Sequence, residues 1–403
     1  MTRTTSRGKL KNQLKIFGRH DLVAFDTGTK KLMNDTTHQV HQRAKQRRAK
    51  IHRRVKQMGL DALLVTDEKN VTYLTGFTGD SSYLWLTAKE AVLLSDFRYT
   101  TQIAEECPQL DTLIRDARQT TRDLVTKIAK TSKTRSIGIE PTCLSKSLYD
   151  EIQSSVSSEL VDTKGWVEEL RAIKDKNEIL TIRRSIQIAE KAFSVIRSQM
   201  TSDQTERQIA HNLEHQIRAF GGSGCSFDPI VGIGPRAALP HGIPSNRRIE
   251  QDPFVLIDWG ARYNGYASDL TRVLVTARIP PKLRKIHEIV LTAQLAAIAK
   301  IRPGACMQKV DHAARSTIDQ AGYGKQFGHG LGHGFGLRIH ETPFLSPIFE
   351  GQLSAGMVVT IEPGIYIPGW GGVRIEDDIL VTKDGCEVLS SLPKSLDECV
   401  VEL

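Results

Sequence analysis

Four carboxylates and one imidazole, spread over roughly the last third of this 403-residue chain, stand in settings that suit metal ligation. They are Asp258 and Asp269 in FVLIDWGARYNGYASDLTRVLV, His333 in GHGLGHGFGLRIHE, Glu362 in VVTIEPGIYIP and Glu376 in GWGGVRIEDDILVT. Asp258 and Glu376 interrupt apolar runs, where an unpaired charge is expensive to bury. Four negative charges converging at about 4 Å repel by roughly 4 kcal/mol per pair at an effective dielectric of 20, so a folded cluster needs compensating cations. Two divalent ions supply that compensation, and such pairs acidify a water enough for it to attack a carbonyl near neutral pH. A covalent nucleophile is then unnecessary, and the six cysteines form no CxxC or Cys/His pairing.

The elements that must position these groups read as hairpins. Residues 254–263 are strand-like, Asn264-Gly265 is a strong turn signal, and 266–276 return, so Asp258 and Asp269 are expected to face one another across the pair. Residues 358–367 run into Pro368-Gly369-Trp370-Gly371-Gly372 and return as 373–382, which places Glu362 opposite Glu376. Residues 196–221 and 298–322 each read as a helix end, a connection and a second helix running to a glycine, and each precedes one hairpin. His241 and His340 lie 20 and 18 residues beyond those glycines, at Gly221 and Gly322. A pseudo-twofold core with the acidic cluster near its axis accounts for the repetition.

Ahead of this core the chain is long enough for a second domain with its own hydrophobic centre. Between Met58 and Glu168, short apolar runs (ALLV, YLWL, AVLLS, SIGIE) alternate with helical stretches, an α/β pattern. Asp175 and Glu178 form a capping box for a helix whose Ile179, Ile182, Ile186, Ala189, Phe193 and Ile196 recur every three or four residues. The chain thus divides into a basic extension that reads as flexible (1–42), an N-terminal α/β domain (43–172) and a catalytic domain (173–403). HQRAKQRRAKIHRRVKQMGL opens the second of these as a basic helix.

The formal charge of +9 is a property of one end. Residues 1–56 hold 16 Lys/Arg against 3 Asp, which leaves 39 basic against 43 acidic residues in the remainder. No nucleic-acid-binding face is expected on the catalytic body, and the leader reads as a solvated segment in preference to a tail that binds nucleic acid or an acidic membrane. The absence of an 18-residue apolar stretch argues against a membrane span, and scattered cysteines suit a reducing cytoplasm.

With all five ligand motifs present in order, residues from about 45 onward resemble the pitta-bread metallopeptidases, the group of aminopeptidase P, prolidase, methionine aminopeptidase and creatinase. The resemblance implies an α+β catalytic domain of pseudo-twofold symmetry after a smaller creatinase-type domain with a mixed sheet. It implies that Asp258 chelates one metal, that Asp269 and Glu376 bridge both, and that His333 and Glu362 hold the second. Glu362 would also serve as base, and His241 and His340 as catalytic histidines that donate hydrogen bonds to the developing oxyanion or position the substrate. His329 would stand behind the ligands or in the substrate pocket. Thr271 and Arg374 each lie two residues from a bridging carboxylate on the same strand face, where they could orient it or be plain strand surface. His340, Tyr366 and Trp370 are candidate walls of a proline pocket, with Trp370 equally suited to packing within its own turn. The ligand chemistry favours manganese, with cobalt, zinc or iron as alternatives.

The segment DALLVTDEKNVTYLTGFTGDSSYLWLTAKEAVLLSDFRYTTQ is similar to the first domain of short bacterial Xaa-Pro aminopeptidases. The expected activity is removal of the residue before proline from peptides with proline in second position, by a homodimer. A prolidase restricted to Xaa-Pro dipeptides and a non-catalytic binding module are the alternatives. The loop VGIGPRAALPHG departs from the pattern with Gly232-Ile233 and Arg236, where relatives carry Ala-Ser and a smaller polar residue. Arg236 is either solvent-facing or functional on this reading.

Overall fold

The computed structural model describes the backbone of residues 27–403 and side chains from residue 39 onward. Helix α1 (Thr27–Gln57) begins well before the 42/43 boundary expected from the sequence, and the part of the basic extension before it lies outside the described residues. Ala44, Ile51 and Val55 of α1 face the core. Its cations are not all solvated: Arg47 stacks 3.9 Å above the Tyr73 ring and pairs with Asp175 and Glu178 at 2.9 and 3.1 Å.

The N-terminal domain is a six-stranded mixed sheet with helices on its faces. Its strands are β1 (Ala62–Val65), β2 (Tyr83–Thr87), β3 (Ala91–Asp96), β4 (Asp111–Arg115), β5 (Ser136–Ile139) and β6 (Glu159–Asp162). Their spatial order is β4-β3-β2-β1-β5-β6, antiparallel where β2 meets β1 and β3 and parallel elsewhere. The central strand β1 is buried along its whole length, as an apolar ALLV run with no alternation requires. Five helices accompany the strands: α2 (Glu68–Thr75), α3 (Thr100–Glu106), α4 (Thr121–Thr131), α5 (Lys146–Ser155) and α6 (Glu168–Ala172).

Helix α7 (Lys176–Ser198) opens the catalytic domain with the expected Asp175/Glu178 capping box, and Ile182, Ile186, Ala189, Phe193 and Ile196 form its buried stripe. With α8 (Glu206–Ala219) it covers a sheet of β8 (Ile230–Ile233), β9 (Phe254–Trp259) and β12 (Leu270–Val275); the short β7 (Gly224–Cys225) joins the hairpin tip, β10 (Ala261–Tyr263) and β11 (Tyr266–Ala267). The second half repeats the plan. Helices α9 (Pro281–Ile298) and α10 (Met307–Gln320) cover β13 (Gly332–Gly334), β14 (Glu341–Leu345), β15 (Val358–Ile361), β18 (Asp377–Val381) and β19 (Cys386–Val388), while β16 (Gly364–Ile367) and β17 (Gly371–Arg374) form the tip of the second hairpin. An isolated bridge between Thr271 and Glu376 joins the two halves at the centre.

The domains share buried charge. Arg171 donates to Asn70 Oδ1 at 2.7 Å and pairs with Glu341, the residue after His340, while Arg338 pairs with Asp67. These groups are satisfied only when both domains are in place, which ties the His340 segment to the N-terminal sheet.

Candidate dinuclear metal centre

The first hairpin turns at Asn264 and Gly265, with φ of +46° and +82°, the two positive values a type I′ turn demands. Its register differs from the expected one. Asp258 pairs directly with Thr271, and Asp269 lies two residues earlier, on the same face and diagonal to Asp258, where the ladder breaks at Gly260. A Cβ at position 260 would lie 1.8 Å from Ser268 O, so only glycine permits this crossing. Diagonal neighbours still reach a common point.

In the second hairpin Ile361 pairs with Asp377 and Gly364 with Arg374, so Glu362 and Glu376 lie opposite one another in the gap between the two ladders, as the sequence implies. His333 arrives on the neighbouring strand β13. There Gly332 lets the backbone approach Thr360, since a Cβ would meet Thr360 O at 2.0 Å. Thr360 Oγ1 accepts from His333 N at 3.0 Å and donates to Glu362 Oε1 at 3.1 Å, coupling those two residues.

The five groups converge. Carboxylate oxygens of Asp258, Asp269 and Glu376 lie within 4.8 Å of one another, and His333 Nε2 is 3.6 Å from Asp269 Oδ2 and 3.4 Å from Glu362 Oε1. Burial pushes Asp258 above the usual carboxylate range, Asp269 and Glu376 well above it, and Glu362 up to about 7; mutual repulsion adds to burial at Asp269 and Glu376. Burial and the neighbouring His340 push His333 down to about 3, so its ring is neutral. Its Nδ1 stands 3.1 Å from Gly334 O, which assigns the proton to Nδ1 and leaves the Nε2 lone pair facing two carboxylates. Asp258 Oδ1 is buried with no hydrogen-bond partner. An imidazole lone pair against carboxylate oxygens, beside an orphaned acidic oxygen, is a cluster with more acceptors than donors, and it fits bound cations.

Among the described residues, one guanidinium pairs with a carboxylate of the cluster. Arg374 pairs with Asp258 and donates to Thr271 Oγ1 at 3.0 Å and to Tyr366 OH at 2.7 Å. Thr271 Oγ1 donates a hydrogen bond to Glu376 Oε2 at 2.6 Å. Both residues therefore reach across to the opposite hairpin instead of orienting the acid on their own strand. His329 lies behind them, its Nε2 2.9 Å from Tyr366 OH and its Nδ1 2.8 Å from Gly330 O.

The cluster opens into a cavity of about 840 Å³ bordered by His241 and His340 as well as the five converging residues. The His340 ring lies edge-on to His333, centroids 4.3 Å apart. Tyr366 does not line this cavity, contrary to expectation, and Trp370, also outside it, takes the turn-packing alternative. Tyr366 is buried beneath Arg374, and Trp370 packs on Phe254 and under Lys282. The aromatic and aliphatic lining includes Phe227, Phe344, Phe349, Ile243 and Ile348. Arg236, though partly exposed, is not free in solvent: it pairs at 2.8 Å with the fully buried Glu206, which also accepts from Ile233 N and Ser245 N, so the loop carrying His241 is pinned to α8.

A duplicated helix-pair-and-hairpin core gathering four acids and an imidazole, behind a mixed-sheet first domain, defines a two-domain metallohydrolase. The sequence model of metallopeptidase family M24 matches residues 181–383, that of the creatinase/prolidase N-terminal domain matches residues 47–173, and the chain belongs to this family. It is similar to the Xaa-Pro dipeptidase of Pyrococcus furiosus, 37% identical over 87% of this chain and 99% of that protein. Among solved structures, an Xaa-Pro dipeptidase from Bacillus anthracis superposes with a TM-score of 0.84 at 38% identity, covering 89% of this chain and all of that one. An X-Pro aminopeptidase from Thermotoga maritima superposes at 0.79 with 34% identity, covering 87% of this chain and all of that one. The expected pitta-bread fold is thus shown, and the chain is a metallopeptidase. No helix among the described residues is long and apolar enough to cross a membrane.

Proposed function

We propose that Asp258, Asp269, His333, Glu362 and Glu376 hold two divalent metal ions, and that the chain removes the first residue from peptides with proline in second position. When bound, the ions would polarise the scissile carbonyl and acidify the attacking water. Glu362 is placed to take the proton from that water, its carboxyl fixed by Thr360. His241 and His340, at the cavity edge, would donate to the oxygen that gains charge. Arg374 and Thr271 hold Asp258 and Glu376 in the orientation ligation needs. Oxygen-rich ligation with a single imidazole suits manganese.

The observation that favours an aminopeptidase over a strict dipeptidase is the charge of the lining. A dipeptidase must hold the free carboxylate next to the scissile bond, most effectively with a charged donor. The guanidinium groups in this lining are Arg315 and Arg374, and no lysine joins them. Arg315 is committed to Asp311 and to the carbonyls of Phe327 and His329, and Arg374 to Asp258, Thr271 and Tyr366. A peptide that continues past proline presents a neutral amide there instead.

Two relatives named Xaa-Pro dipeptidases support the second reading. Hydrolysis of Ala-Pro and Ala-Pro-Gly by manganese-loaded protein separates the two: release of alanine from the tripeptide supports the aminopeptidase, and turnover of Ala-Pro alone overturns it. Absence of turnover on both would favour a binding module. All six cysteines are free, which supports a cytoplasmic setting.

A further inference from the structure

We infer that the outer edge of the cavity, formed by Phe344 near the end of β14, Ile348 and Phe349 on the loop that follows it, and Ile243 on a second loop, is a subsite for an apolar side chain at the third position of the peptide. This rests on the aminopeptidase reading above. Ile243 and Ile348 are 83% and 82% exposed and Phe349 44%, yet all four residues border the same cavity as Asp258 and Glu362. Apolar side chains held in water at the mouth of a polar site mark a place where something apolar binds.

The two loops occupy equivalent places in the duplicated core, one just after His241 and the other just after His340. Both are held from behind. Arg236 donates to Ile243 O at 2.5 Å, Gln308 donates to Pro347 O at 3.2 Å, and buried Leu345 anchors the loop between Phe344 and Phe349. Phe344 and Phe349 are stacked, centroids 4.9 Å apart at 28°. A peptide side chain therefore meets a surface that needs little ordering before it binds.

The direction of the peptide follows from the order of rings. His340 stands against His333 at the cluster, Phe344 follows four residues on, and the more exposed Phe349 stacks on Phe344. A proline held beside His340 and Phe344 directs the next residue onto Phe349 and Ile348, with Ile243 facing from the other loop. No cation in this lining is free to recruit an acidic residue, and a leucine-sized side chain is the expected occupant.

The test compares Ala-Pro-Leu, Ala-Pro-Gly and Ala-Pro-Asp in the manganese-loaded full chain. Leucine at the third position should raise kcat/KM over glycine by about 10-fold, chiefly through KM, with aspartate below glycine. Ile348→Ser and Phe349→Ser, both at exposed positions, should bring the leucine-to-glycine ratio towards 1. Phe97→Ser, which alters an exposed ring outside the cavity, should leave the ratio unchanged. A ratio of 1 in the unaltered protein, or one that survives both loop substitutions, overturns the subsite while leaving the aminopeptidase reading intact. So does a loss equal for all peptides that accompanies a change from dimer to monomer. Turnover of Ala-Pro with no tripeptide cleaved overturns both.

Discussion

Glu362 and Glu376 face each other in the gap between two antiparallel ladders, flanked by the Ile361–Asp377 pair on one side and the Gly364–Arg374 pair on the other. The gap frees both carboxylates to turn inward, towards Asp258, Asp269 and His333, at a point where strand-to-strand hydrogen bonding lapses. Burial in such a place raises the cost of every negative charge, and a single guanidinium offsets only part of it.

Thr271 connects the halves through its hydroxyl, which accepts from Arg374 and donates to Glu376. Thr271→Val keeps the shape and removes both bonds. Metal affinity or kcat should fall by about 10- to 100-fold, and Thr271→Ser should restore most of it, as read by metal titration and initial rates.

His340 reaches no carboxylate of the cluster through a hydrogen bond, although its ring lies against His333. His340→Ala should lower kcat by about 10²- to 10⁴-fold while bound metal is retained. Departure of the metal with the ring would assign His340 to ligation instead of catalysis.

Glu206 is fully buried and Arg236 is its charged partner. Arg236→Ala leaves that carboxylate with backbone donors alone and should cost about 2–3 kcal/mol in urea unfolding, at or below the low end for a broken buried pair because Arg236 itself is partly exposed. The loop carrying His241 keeps its Ser245 N bond to Glu206 but loses the Arg236 tether, so KM for tripeptides should rise as well.

His287 is buried on α9, and burial, with Arg272 and Arg284 near it, lowers its pKa to about 4. The unfolded chain takes up this proton near pH 6.5, before the folded one does, so the stabilising contribution is complete above that pH and is lost as pH falls from 6.5 towards 4. Between pH 7 and pH 5 the loss should be about 2 kcal/mol. Urea unfolding of the chain and of His287→Gln at the two pH values checks this, the substituted chain showing the smaller decline.

Much of the site was legible because its determinants are local. The Asn264-Gly265 turn, the Asp175/Glu178 cap and the acids interrupting apolar strands are patterns within a few residues of one another. The diagonal placement of Asp269 was not, because it depends on the backbone crossing at Gly260, which an alternating pattern does not reveal. Thr360 offered a signal that was missed: it stands two residues before Glu362 and so shares its face, much as Thr271 stands two residues after Asp269. Arg236 and Glu206 are 30 residues apart, and no local pattern marks Ile348 and Phe349, which only the cavity places at its mouth. Tyr366 has the composition of a pocket wall, but its hydroxyl serves Arg374 and His329 beneath the cluster.

Metal content bears most directly on the central claim. Protein stripped with chelator, reloaded with manganese and freed of excess should carry two ions per chain by elemental analysis, and Glu376→Gln should lose metal along with at least about 100-fold of its activity, beyond the range that outer partners of a ligand contribute. No bound metal in the unaltered chain, or full retention in the Glu376→Gln variant, would contradict the assignment of these five residues.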